Sequence, residues 1–147
     1  MQTPLPSEYT DFIGKYGTGN ICEFLTVLSP AAANPHMNLT ARGAMLLRSL
    51  RECRTTVGQD RSIPVFPERG GLLPWGVTDN GDVCYWRTQS PNPDLWPIVV
   101  NDGRGSMWEE FPGTMTEFLH ALLSCEFESD ILTDEDFPPA EPYFSPA

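Results

Sequence analysis

The segment GGLLPWGVTDNGDVCYW, Gly70–Trp86, constrains the fold of this chain more than any other. Two apolar runs flank Asn80-Gly81, a pair that accepts the two positive φ values of a type I′ turn, so a two-residue β-hairpin is expected. That turn sets Asp79 opposite Asp82, Thr78 opposite Val83, Val77 opposite Cys84 and Trp75 opposite Trp86. Side chains alternate along a strand, so Trp75, Val77, Cys84 and Trp86 share one apolar face that should meet the helices. Thr78, Val83 and Tyr85 belong to the other face. The two tryptophans read as core rather than as a ligand-stacking platform.

Around this hairpin the chain punctuates itself often, with fifteen prolines and twelve glycines in 147 residues. Ser7 to Gly17 reads as a first helix capped by Ser7, with Tyr9, Phe12, Ile13 and Tyr16 on its buried face and Gly17 past its end. Ile21–Leu28 is expected as a strand and Pro30–Asn38 as a loop. A second helix starts near Asn38 or Thr40 and runs to about Cys53, burying Leu46, Leu47 and Leu50. Its arginines, Arg42, Arg48, Arg51 and Arg54, lie mainly outside as a solvated face. Ile63–Phe66, Leu72–Thr78, Val83–Arg87, Trp96–Asn101 and Met107–Phe111 form a meander. Turns at Pro67–Gly71 and Asp102-Gly103-Arg104-Gly105 and a loop at Pro91–Asp94 connect it. Thr114 and Glu117 make a capping box for a third helix with Met115, Phe118, Leu119 and Leu122 on its apolar stripe. The fold class expected is α+β: an antiparallel, twisted β-meander packed against about three helices. One domain occupies residues 1–127, and an acidic, proline-rich tail, 128–147, docks on it through Tyr143 and Phe144.

Charge separates the two parts of the chain. The formal net charge is −11. Residues 1–100 hold nine acidic and eight basic side chains, whereas residues 101–147 hold eleven acidic ones and only Arg104. Such a field repels phosphate, which argues against nucleic acid as a partner, and it speeds encounter with a basic protein. No apolar run approaches a membrane span, and the first residues show neither the basic nor the apolar region of a signal peptide, so a cytoplasmic location is expected. Cys22, Cys53, Cys84 and Cys125 are too widely spaced for a disulfide or zinc framework and are expected as reduced, mostly buried thiols.

Catalytic chemistry finds little support in the residues. Glu109 and Glu110 are adjacent on a strand and point to opposite faces, which is poor geometry for an acid/base pair. His36 and His120 have no nucleophile motif near them, and no glycine-rich phosphate loop is present. Asp79 and Asp82 admit two readings: turn chemistry, or an acidic tip shown to a cationic partner. The alternating acids of an EF-hand loop are missing, so no metal is expected, and no cofactor.

In order, LPSEYTDFIGKYGTG, ICEFLTVLSP, PERGGLLPWGVTDNGDVCYW, WPIVVND, WEEF and MTEFLHALLS resemble the SUKH superfamily, which includes the Smi/Knr-type regulators of cell-wall synthesis and many bacterial immunity proteins. The resemblance spans roughly residues 4–125 and the PYF of the tail. Members commonly carry another helix ahead of the LP segment. The family implies helices on a twisted sheet and, for bacterial members, non-enzymatic binding that blocks a cognate polymorphic toxin, often a nuclease or deaminase. It implies no catalytic residues. The alternative it carries is a regulatory protein-interaction module in signalling or cell-wall synthesis. On the first reading the partner is a basic toxin domain. The contact residues expected are Asp79, Asp82, Asp102, Glu109 and Glu110, with Tyr85 as an aromatic anchor.

Overall fold

A computed structural model describes residues 4–57, 64–103, 107–133 and 137–146. Ile63, Arg104, Gly105 and the side chains of Cys53 and Arg54 lie outside the described residues. Of the strand expected over Ile63–Phe66, the described part makes a single parallel bridge, Val65↔Leu72, and forms no strand of the meander. The elements run α1 (Ser7–Tyr16), β1 (Gly19–Ile21), β2 (Leu25–Val27), α2 (Leu39–Val57), β3 (Leu72–Thr78) and β4 (Val83–Arg87), then a 3₁₀ turn at Pro93–Leu95. They continue with β5 (Ile98–Asn101), β6 (Trp108–Phe111), α3 (Met115–Leu123) and β7 (Phe144–Pro146). The seven strands form one antiparallel sheet in the order β6-β5-β4-β3-β2-β1-β7. This is the expected α+β class. Six strands follow as a meander, and the last returns to the edge of the first.

The expected single strand at Ile21–Leu28 is instead a hairpin. Phe24 N–H donates to Ile21 O, and Cys22 and Glu23 both take positive φ, which turns the chain back between β1 and β2. The third helix forms as its sequence requires: Thr114 Oγ1 accepts from Glu117 N–H while Thr114 N–H donates to the Glu117 carboxylate. Those contacts hold the Glu117 carboxyl below the usual range. Thr114→Ala should therefore cost about 1 kcal/mol and speed amide exchange in the first turn of α3. Unchanged stability in urea would show that the cap is dispensable.

The first helix departs from expectation at its start. Ser7 is its first residue rather than its cap, and Pro6 precedes it without a side-chain cap. The carboxylate of Asp94, in the 3₁₀ turn, accepts from both Ser7 N–H and Ser7 Oγ at 2.8 Å. Glu8 in turn accepts from Met115 N–H and Thr116 Oγ1, so α1 caps α3. The first N–H of each of these helices, Ser7 and Met115, is met by a carboxylate, which also suits the helix dipole. Asn38 caps α2 through Thr40 N–H and Ala41 N–H.

Both faces of the sheet are covered, not one. Trp86 meets Tyr9 of α1 edge-on, and Phe118 of α3 meets Trp75 and Phe111. On the opposite face α2 crosses β3 near Pro74, where Gly43 leaves close-contact room. All seven residues of β3 and all four of β5 are buried as a result. Cys84 is fully buried, Cys22 half-buried and Cys125 exposed, so among the described cysteines the expectation of mostly buried thiols fails. Burial pushes the Cys84 thiol up, with the nearby Asp82 and Glu109 charges adding to the shift. It is packing, not a nucleophile.

Candidate partner-binding surface

The hairpin tip is a three-residue loop, not the two-residue turn expected from Asn80-Gly81. Gly81 N–H donates to Thr78 O, Thr78 N–H donates to Asp82 O, and Gly81 carries the positive φ of +86°. This is a turn followed by a left-handed glycine, the other common solution for an Asn-Gly hairpin. It shifts the register by one: Val77 faces Val83, and Gly76 faces Cys84. A bulge between Pro74 and Gly76 then shifts it again, leaving Trp75 without a Cα partner and Leu73 opposite Trp86. Val77 thus stands on the opposite face from Cys84, a correction to the expected set. Trp75 still reaches the helix side, because the bulge re-aims it toward Phe118 and Trp86.

The six expected contact residues do not share one surface. Tyr85 lies between Pro74 and Val99 in the sheet, stacks on Trp108 and is 2% exposed. It cannot serve as an exposed anchor, since the face expected to be free is covered. Asp82 is only 4% exposed; it accepts from Thr78 Oγ1 at 2.8 Å and from Gly103 N–H at 3.0 Å. It ties the β3–β4 turn to the β5–β6 turn. Asp79 is exposed at the tip, and Asp102 is half-buried with Met107 N–H on its carboxylate. The two aspartates expected to face each other therefore have different work. Asp82→Ala should cost roughly 2–3 kcal/mol by stranding buried donors, while Asp79→Ala should stay within about 0.5 kcal/mol. Equal losses in urea unfolding would contradict this division.

Glu109 and Glu110 point to opposite faces, as their positions on β6 require, facing Val100 and Val99. Glu109 holds the chain beyond α3 in place. It accepts from Ser129 Oγ at 2.6 Å and from Asp130 N–H, while Ser129 Oγ accepts from Ile131 and Leu132 N–H. Ile131 and Leu132 are buried below this knot. Glu110 is exposed and paired with Arg87 at 3.4 Å.

The acids after α3 add to the net charge of residues 101–147 but are not among the expected contacts. Phe127 packs inward on Phe111 and Phe118, so its neighbours Glu126 and Glu128 project outward, and Asp130 is exposed beside Glu109. Asn80 Nδ2 donates to Thr133 O, which brings the same segment to the hairpin tip. The segment after α3 thus carries Glu126, Glu128 and Asp130, all exposed, and it runs from Glu109 to the hairpin tip, where Asp79 is exposed. Glu110 lies on the other face of β6, paired with Arg87. The signal for this acidic border was an aromatic flanked by acids, Glu126-Phe-Glu128, following an apolar helix. Such a border attracts cations over a Debye length, about 8 Å at physiological salt. Among the described residues no three His, Cys, Asp or Glu side chains gather to hold a metal ion. No helix among them is long and apolar enough to cross a membrane. No family model, curated protein or solved structure matches this chain.

Proposed function

We propose that this chain is a non-enzymatic immunity protein that acts in the cytoplasm and neutralises a basic polymorphic toxin domain by stoichiometric binding. The observation that carries the reading is the exposed acidic border of Glu126, Glu128 and Asp130, held at Glu109 and reaching through Thr133 to the hairpin tip with its exposed Asp79. A nuclease or a nucleic-acid deaminase presents cationic side chains to phosphate, and an array of carboxylates on an anchored segment can occupy that site by imitating its ligand. The anchoring of the acidic segment favours this: Glu109, Ser129 and the buried Ile131 and Leu132 hold it against the domain. Carboxylates held in place lose less freedom on binding than a free tail would. The resemblance of the sequence to the SUKH superfamily supports the same class.

Co-expression with the toxin encoded beside the gene tests this. Rescued growth and a co-purifying complex are expected; unrescued cells and proteins that do not associate would sink it. A gene neighbourhood without a toxin, together with a stable endogenous partner, would favour the regulatory-module alternative.

A further inference from the structure

The opposite edge of the sheet carries a second feature, unrelated to the acidic border. Strand β7 pairs antiparallel with β1 through Gly19↔Pro146, Asn20↔Ser145 and Ile21↔Phe144, and Cys22 N–H donates to Tyr143 O. Gly19 is the seat. A Cβ there would lie 2.3 Å from Ser145 O and 2.7 Å from the Phe144 ring, so no other residue permits this approach. Phe144 rests against Phe12 and Tyr16 of α1, at ring distances of 6.0 and 5.3 Å.

The seat is only partly filled. A cavity of about 350 Å³ remains beside Phe144, bounded by Ile21, Leu119 and Leu123. Tyr16 and Tyr143 at its mouth stay 44% and 48% exposed. The strand that lies there is three residues long and short of the length that holds a strand by itself. Its tether is also short. Phe137 is buried against Phe24, at 4.6 Å, so only the residues after it can leave, and three of the next five are prolines. Glu23 and Glu141 are exposed near this edge.

We propose that the β1 edge and its aromatic cleft are a strand-addition site, which the chain's own Phe144–Pro146 occupies in cis and from which an extended segment of a partner protein displaces it. The segment that fits carries an aromatic residue at the Phe144 position followed by a small one, because the site already accepts that chemistry. A basic residue before the aromatic would gain from Glu23. Backbone pairing to β1 supplies the affinity, and the cleft selects the side chain. The tethered tail competes at an effective concentration of roughly millimolar, so the intact chain binds such a segment weakly until the tail is released.

The test uses full-length protein and a fluorescein-labelled peptide of residues 141–147, EPYFSPA. Phe144→Ala and Ser145→Pro each loosen the cis strand, and the second substitutes no side chain that lines the cleft. Each should bind the peptide at least tenfold more tightly than the wild type. Adding Gly19→Val to either should abolish binding, with the near-ultraviolet signal of the tryptophan core unchanged. Release variants that bind no better than wild type, or binding that survives Gly19→Val, would overturn the proposal. So would release variants that elute as dimers and ignore the peptide, since the edge would then serve exchange between copies.

Discussion

Replacing Trp86 by alanine should cost about 3–5 kcal/mol of stability. Trp86 is fully buried and touches Tyr9, Trp75 and Trp96, so it joins α1, the bulged strand β3 and the approach to β5. Domains of this size have a total stability of roughly 5–15 kcal/mol, so a loss of that order leaves a substantial unfolded fraction at physiological temperature. Trp86→Phe is the control. The indole N–H of Trp86 has no hydrogen-bond partner among the described residues, so phenylalanine removes volume without stranding an acceptor. Urea unfolding should rank wild type above Trp86→Phe and both well above Trp86→Ala. An alanine variant within about 1 kcal/mol of wild type would mean that the tryptophan is not part of a close-packed core.

Changing Glu126, Glu128 and Asp130 together to lysine should weaken partner binding by about a hundredfold or more at low salt, because each reversal turns attraction into like-charge repulsion. These side chains are exposed, and among the described residues no hydrogen bond uses their carboxylates, so the fold should be untouched. Reversing Glu109 is a different experiment. Its carboxylate holds Ser129 and Asp130, and its loss should release the segment and destabilise the domain as well. A triple variant that binds as tightly as wild type would remove the border from the contact surface.

Features written into neighbouring residues were legible before the structure. The capping box of Thr114 and Glu117 needs only residues three apart, and α3 formed where it predicts. Asn38 and Gly17 bound their helices for the same reason. What failed depended on distant partners. Asn80-Gly81 suits both a two-residue and a three-residue loop, and here Asp82 docks on the β5–β6 turn through Gly103 N–H in the three-residue form. Pro74 was a readable warning. A proline within a strand marks an edge or a bulge, and the bulge is at Trp75. Tyr85 was misplaced as an anchor because alternation says which face a side chain takes, not whether another layer covers that face. Ser7 lost its expected role to Asp94, which is 87 residues away.

For the candidate site, the sign of the charge was readable and its distribution was not. Asp79 is exposed at the tip and Glu110 is exposed but paired with Arg87, whereas Asp82 and Tyr85 are interior. The segment after α3 supplies the rest of the border, and only the folded chain brings it beside β6 and the hairpin tip.

The central claim is that this protein holds a basic toxin domain through that border. Calorimetric titration of the purified chain against the C-terminal domain of the toxin encoded beside it, at low and at high salt, tests it most directly. One-to-one binding with a dissociation constant of roughly nanomolar order at low salt, weakening steeply as salt is raised, is the predicted result. Absence of binding, or an affinity indifferent to salt, would contradict it.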